Sequence, residues 1–162
     1  MAKRLIKTEI DFNGYWVKGI TSHYGHEGEK LMQCSVYKDG IRFAVYSDGD
    51  WGGPSTLHPI DLKAKKAMLK TFEEHAKSLG KESWEIVYDM MNAFDTIRQL
   101  KKQAKNRALF AVLKDQPKDG SEIKYRRMNC AWEPKTRDGI YSFLNGKYGK
   151  NQYIILNEQL PE

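Results

Sequence analysis

The chain has only two cysteines, Cys34 and Cys130, in 162 residues. Two cannot build the disulfide framework of a small secreted domain, so a reducing, cytoplasmic setting is the simpler expectation. Long apolar runs are also missing. None follows the basic start Met1-Ala2-Lys3-Arg4, and neither a signal peptide nor a membrane span is expected. Met1 itself suggests an intact reading frame. The glycines miss both phosphate-loop patterns: there is no Gly-x-Gly-x-x-Gly and no Gly-Lys-Ser/Thr. No serine or cysteine nucleophile has a recognisable base beside it. Internal repeats and low-complexity segments are absent. One more absence is local: no acid lies between Asp95 and Asp115.

What is present fits a single domain over 1–162. The length allows a usable core, and an apolar fraction of 40% argues against disorder. The formal charge is +6, which favours an anionic partner only weakly. Its distribution says more. Residues 1–60 balance seven bases against seven acids, whereas residues 98–114 carry six bases and no acid.

Periodicity predicts an α+β fold with an N-terminal antiparallel β-meander, a two-helix layer and C-terminal β-strands. Residues 4–12 alternate and precede Asn13-Gly14, which predicts a hairpin into a strand from Tyr15 to Ile20. The polar run from Thr21 to Lys30 reads as a loop. Leu31–Lys38 and Ile41–Tyr46 form a second hairpin around Asp39-Gly40. Ser47 to Pro59 reads as an irregular loop, in which Trp51 either plugs the sheet edge or stands in solvent to stack on a ligand.

The first helix is expected over about 61–79, on the stripe Ala64, Met68, Phe72, Ala76 and Leu79, with Gly80 as its C-cap. The second is expected over about 83–114. Trp84, Val87, Met91, Phe94, Ile97, Leu100, Ala104 and Ala108 recur at helical spacing, Ser83 caps the start, and Pro117 limits the end. A break near Asn106 is the alternative, which turns residues 108–113 into a buried strand. Gln116 to Ser121 reads as a turn, and Glu122 to Arg127 as a strand. Gly139–Leu144 and Gln152–Asn157 form a last strand pair.

Three groups of residues carry possible chemistry. His23 and His26, with Glu29 or Cys34, have the side chains of a metal site but no compact four-ligand spacing, so neither metal nor cofactor is expected. Asp48 and Asp50 are close carboxylates that Asx-turn chemistry explains without a substrate. The third group is cationic. Arg98, Lys101, Lys102 and Lys105 spread over a broad helix face. Lys124 and Arg126 share a strand face, and Lys147 and Lys150 lie in a loop beside Tyr148. Long cationic arms suit phosphates, and exposed rings such as Trp51, Trp132 and Tyr148 suit unpaired bases. The expected function is therefore a nucleic-acid-binding accessory protein that contacts the phosphate backbone of DNA or RNA. The alternatives are an adaptor or inhibitor module docking an acidic protein surface, and a small metal-independent or Asp/His-dependent hydrolase. An enzyme is the less favoured class.

Overall fold

The computed structural model describes residues 3–51, 53–61, 63–120 and 122–162. Met1, Ala2, Gly52 of the tryptophan loop, Leu62 of the expected first helix and Ser121 of the expected turn lie outside the described residues. The fold is α+β: an antiparallel four-stranded sheet comes first, then helices, then C-terminal strands. The chain divides into two compact units, Lys7–Phe94 and Met1–Ile6 with Asp95–Glu162.

The Lys7–Phe94 unit holds β1 (Tyr15–Tyr24), β2 (Lys30–Lys38), β3 (Ile41–Ser47) and β4 (Thr56–Pro59), in that spatial order. The meander has four strands, but not the expected four. Residues 4–12 form no strand. Glu9–Phe12 is a 3-10 turn, started by a bond from the Thr8 N–H to the Asp11 carboxylate (2.7 Å). Asn13 and Gly14 have φ of 57° and 81°, and their N–H groups close that turn onto Ile10 and Glu9. The dipeptide supplies two positive φ angles, as a hairpin would need, but uses them to end a helical turn.

Of the stretch expected as a loop, Thr21 to Tyr24 is instead the outer half of β1, while Gly25 to Glu29 is the loop expected there. Gly19 (φ 64°) and Ile20 oppose the single residue Cys34 in a bulge, after which Thr21 to Tyr24 pair with Gln33 to Lys30. A glycine in the left-handed region is what this kind of bulge requires. Asp39 and Gly40 (φ 49° and 81°) make the expected tight hairpin. β4 pairs with β3 inside the segment expected to be irregular.

Helix α1 (Ala64–Ser78) begins after Asp61, whose carboxylate accepts the Lys63 N–H at 3.1 Å. Leu69, Phe72 and Ala76 are its buried positions; Ala64 and Leu79 are exposed. They pack with Tyr15, Val17, Cys34, Val36, Phe43, Ala44 and Tyr46 of the sheet. Ile86, Val87, Met90 and Met91 of α2 (Ser83–Ala104) complete this core. Aromatic edges knit it: Tyr15, Phe43 and Phe72 lie within 6.0 Å of one another, centroid to centroid.

In the Asp95–Glu162 unit the second helix stops at Ala104, ten residues short of the expected end. Leu109–Val112 is β5, the centre of a three-stranded antiparallel sheet between β6 (Arg126–Arg127) and β7 (Tyr153–Ile155). All four β5 residues are buried, so both faces are covered and no polar position marks the strand's alternation. The break near Asn106 is thus the form the chain adopts. β6 is only two residues long, because the Gln116 side chain holds both the N–H and the C=O of Lys124 before it.

The expected strand Gly139–Leu144 lies within helix α3 (Pro134–Tyr148). Pro134 opens that helix at a position where its missing N–H costs nothing, and the Thr136 hydroxyl accepts the Glu133 N–H (3.2 Å). Ile140 and Leu144, four residues apart, are its buried pair and pack with Ala108, Phe110, Val112 and Ile155. A short helix α4 (Leu156–Gln159) ends the unit, and its Gln159 side chain accepts the N–H groups of Leu5 and Ile6. Leu144 is fully buried, and alanine keeps helix propensity. Leu144→Ala is therefore expected to destabilise by about 3 kcal/mol through the cavity alone. Denaturant unfolding checks this; a loss under about 1 kcal/mol is incompatible with a packed α3 face.

Candidate functional site

Charge is unequally divided between the two units. Met1–Ile6 with Asp95–Glu162 carries sixteen bases and eight acids, a formal +8. Lys7–Phe94 carries eleven bases and thirteen acids, a formal −2. All eight expected phosphate-binding cations, with Trp132 and Tyr148, fall in the basic unit. Trp51 falls in the other.

The second half of α2 supplies the first group. Arg98 is tied back to Asp95 at 2.7 Å, a carboxylate that also accepts from Gln99. Lys101 reaches the main-chain oxygen of Glu162 (3.2 Å). Lys102 is exposed. Lys105 and Arg107 are exposed too, and both lie in the turn after Ala104, so Lys105 is not on the helix face expected for it. Lys102, Lys105 and Arg107 have no ion-pair partner among the described residues.

The second group forms around Tyr148, at the end of α3. Arg126 donates to its hydroxyl (2.8 Å) and to Asp115 (3.1 Å), with its guanidinium 5.7 Å from the ring centre. Lys147 lies 5.5 Å from the Tyr148 ring and 5.7 Å from that of Phe143, which is exposed. Cations over aromatic faces are held without losing their charge. Arg127 donates to Gln103 at 3.0 Å. That bond joins the end of α2, where Lys102 sits, to β6, where Arg126 sits, and so links two groups far apart in sequence.

Other expected members stand apart. Lys124 is exposed beside the Gln116 clamp, and it shares no strand face with Arg126, since β6 begins at Arg126. Lys150 is exposed in the turn after α3. Trp132 is half-buried, edge-on to Tyr141 at 5.5 Å and covered by Arg137 at 5.2 Å. Its ring serves packing first.

Trp51 does not plug the sheet. It is 67% exposed, in the left-handed region at φ 59°, and stacks on His26 at 4.6 Å. Asp50 fixes this tip by accepting the N–H groups of His26 and Trp51, and its carboxylate lies 3.4 Å from the His26 ring. Desolvation pushes the Asp50 carboxyl up, but these hydrogen bonds, with one to Glu29 and the nearby His26 ring, together outweigh it and hold the carboxyl below its ordinary value. His23 stands on the exposed outer half of β1. Among the described residues no three His, Cys, Asp or Glu side chains are placed to hold a metal ion.

Asp48 has a different environment. Its carboxylate accepts from the Met32 N–H (2.8 Å), the Tyr46 hydroxyl (2.5 Å), the Tyr88 hydroxyl (2.9 Å) and the Ser55 hydroxyl (3.3 Å). Partial burial pushes the carboxyl up, but these donors push it down and prevail. Burial and the bond to Asp48 raise Tyr46 and Tyr88 in turn. Cys34 is pushed up to about 12, by burial first and the Asp48 charge second, which leaves a protonated, unreactive thiol. With its lone pairs so engaged, Asp48 ties β2, β3, the β3–β4 loop and the start of α2 together.

Sequence reasoning missed Tyr46, Ser55 and Tyr88 as Asp48's partners. It also missed an open cleft of about 400 Å³ lined by Pro54, Ser55, Trp84 and Tyr88. The available signal was the i, i+4 spacing of Trp84 and Tyr88, which puts both rings on one helix flank. Trp84, expected in the buried stripe, is 45% exposed.

No family model, curated protein or solved structure matches the chain. Among the described residues, no helix is long and apolar enough to cross a membrane.

Proposed function

We propose that the chain binds nucleic acid through the phosphate backbone, with the basic Asp95–Glu162 unit as the binding part. The observation that carries this reading is the charge partition: a formal +8 on one compact unit beside a formal −2 on the other. Uniformly basic composition aids solubility in general, whereas segregated charge makes a local field that draws a polyanion to one region. The Gln103–Arg127 bond supports it by joining the cations of α2 to those of β6 and α3. No array of Asn, Gln or Arg marks base reading, so sequence preference is weak and the term that dominates is phosphate contact. Two free cysteines suit a reducing, cytoplasmic setting.

A protein-docking function is favoured by one separate observation, the exposure of Trp51 and Trp84 on the acidic unit. Binding titrations separate the two. The parent is titrated at low salt against labelled single- and double-stranded DNA and RNA, alongside Lys102→Ala/Lys105→Ala/Lys150→Ala. These three side chains are exposed and have no ion-pair partner among the described residues, so the variant keeps its fold. Its affinity is expected to fall at least about tenfold, roughly the loss from removing several phosphate contacts. Undiminished affinity in a folded variant removes this interface. No binding by the parent removes the nucleic-acid reading and leaves the protein-docking one.

A further inference from the structure

We propose that the corner between Trp84 and Tyr88 on the acidic unit is a binding site for a methylated ammonium group. The two residues are one turn apart on α2, with ring centres 6.0 Å apart and planes at 89°. Perpendicular rings make two walls of an open box, the arrangement in which two ring faces or edges can address one small group. Pro54 and Ser55 line the rest of the roughly 400 Å³ cleft. Trp84 is 45% exposed, so much of its ring stands in solvent.

The surroundings select a cation. Tyr88 donates its hydroxyl to both oxygens of Asp48 (3.0 and 2.9 Å), which places a carboxylate directly behind one wall. A phenol that donates to a carboxylate gains electron density in its ring, and the attraction of an aromatic face for a cation grows with that density. Glu82, just before α2, and Glu85, in its first turn, add negative charge nearby. Lys81, three residues before Trp84 in sequence, is engaged by Asp89 at 2.7 Å.

The surroundings also select the kind of cation. The hydroxyls of Ser55 and Tyr88 are both turned onto Asp48, so the cleft has few groups left to replace a ligand's hydration. A sugar would need such groups, and so would a bare ammonium ion. A methylated ammonium has no N–H or few, and its methyl groups fit ring faces and Pro54. Its source is either a small free quaternary amine or a methylated lysine in a peptide.

The test is an NMR titration of the intact chain, following the Trp84 indole N–H, at matched ionic strength. The probes are tetramethylammonium, choline, a trimethyllysine peptide, the same peptide unmodified, and 3,3-dimethylbutanol as a neutral isostere of choline. Saturable shifts with tetramethylammonium are expected, with 3,3-dimethylbutanol binding roughly tenfold more weakly, as the charge contribution at a partly desolvated ring pair implies. Trp84→Ala, an exposed position, should abolish binding without loss of fold. Tyr88→Phe keeps the ring but breaks the link to Asp48, and should weaken binding a few-fold. Preference for the trimethyllysine peptide over choline assigns the peptide source, and the reverse assigns the free amine. Equal binding of the neutral isostere, no shift with any cation, or full binding by Trp84→Ala each overturns the proposal.

Discussion

Asp48→Ala is expected to destabilise the Lys7–Phe94 unit by about 3 kcal/mol, the scale of a partly buried charged acceptor lost together with its donors' partner. Tyr46 is fully buried, and its hydroxyl would keep only Ser55. The Met32 N–H and the Tyr88 hydroxyl would each lose their acceptor. The loss stays below the sum of separate bonds because water can enter from the open cleft beside Ser55 and Tyr88. A melting temperature lower by roughly 10 °C follows from that loss in a chain of this size. Asp48→Asn retains an acceptor but turns an amide donor toward one of the existing donors, so it should cost less than alanine.

The same tie carries a pH signature. The folded carboxyl sits below its ordinary value, because the donors outweigh the opposing push of burial. Its stabilisation is therefore complete above the ordinary carboxyl range and fades as pH falls through the lower folded value. The gap in stability between the parent and Asp48→Asn should close below about pH 4. A gap that is absent at pH 7, or that widens in acid, is incompatible with an ionised tie.

The β-meander and the two-helix layer were legible because their signals are local. Asp39-Gly40 specifies a tight turn between flanking apolar residues, and the structure has it. Asn13-Gly14 sends the same backbone signal, but the preceding Thr8–Asp11 bond winds the chain into a 3-10 turn before it arrives. A dipeptide reports its own φ angles and not what stands on either side. In β5, a covered strand has no polar alternation, so only the position of the helix end could separate it from α2. In α3, Gly139 and Gly146 lower helix propensity, and only Glu133-Pro134 and the spacing of Ile140 and Leu144 argue for a helix.

The candidate interface was legible as charge and not as geometry. A run without acids from 96 to 114 is visible in any reading, and the basic unit of the fold contains it. The neutralising contacts are less visible. Asp95 lies three residues before Arg98 and pairs with it, which a count of bases alone overlooks. Arg126 and Tyr148 are twenty-two residues apart, and Gln103 and Arg127 twenty-four; nothing local announces either contact. Asp48 and Tyr88 are forty apart. Such contacts arise only once strands and helices have packed.

The largest expected effect is on the salt dependence of binding. Lys102, Lys105, Arg107, Lys147 and Lys150 are five of the exposed cations of the basic unit that have no carboxylate partner among the described residues. If about five phosphates are neutralised, the logarithm of affinity for a duplex should fall with the logarithm of salt at a slope of about −4.5, and for a single strand at about −3.5. Between about 50 and 200 mM salt the duplex affinity should then drop by roughly 500-fold, because each contact releases condensed counterions whose dilution drove it. Lys147 contributes although it lies over two rings, since a cation over a ring keeps its charge. Arg98 contributes little, because Asp95 already neutralises it. Arg98→Ala should leave the slope nearly unchanged, whereas Lys102→Ala/Lys105→Ala/Lys150→Ala should bring the duplex slope to about −2. Asp95→Ala gives the converse check: it frees Arg98 and should steepen the slope by up to about one unit. A slope near zero in the parent would mean that binding, if present, does not run through phosphate. An unchanged slope in the triple variant would place the contacts elsewhere on the chain.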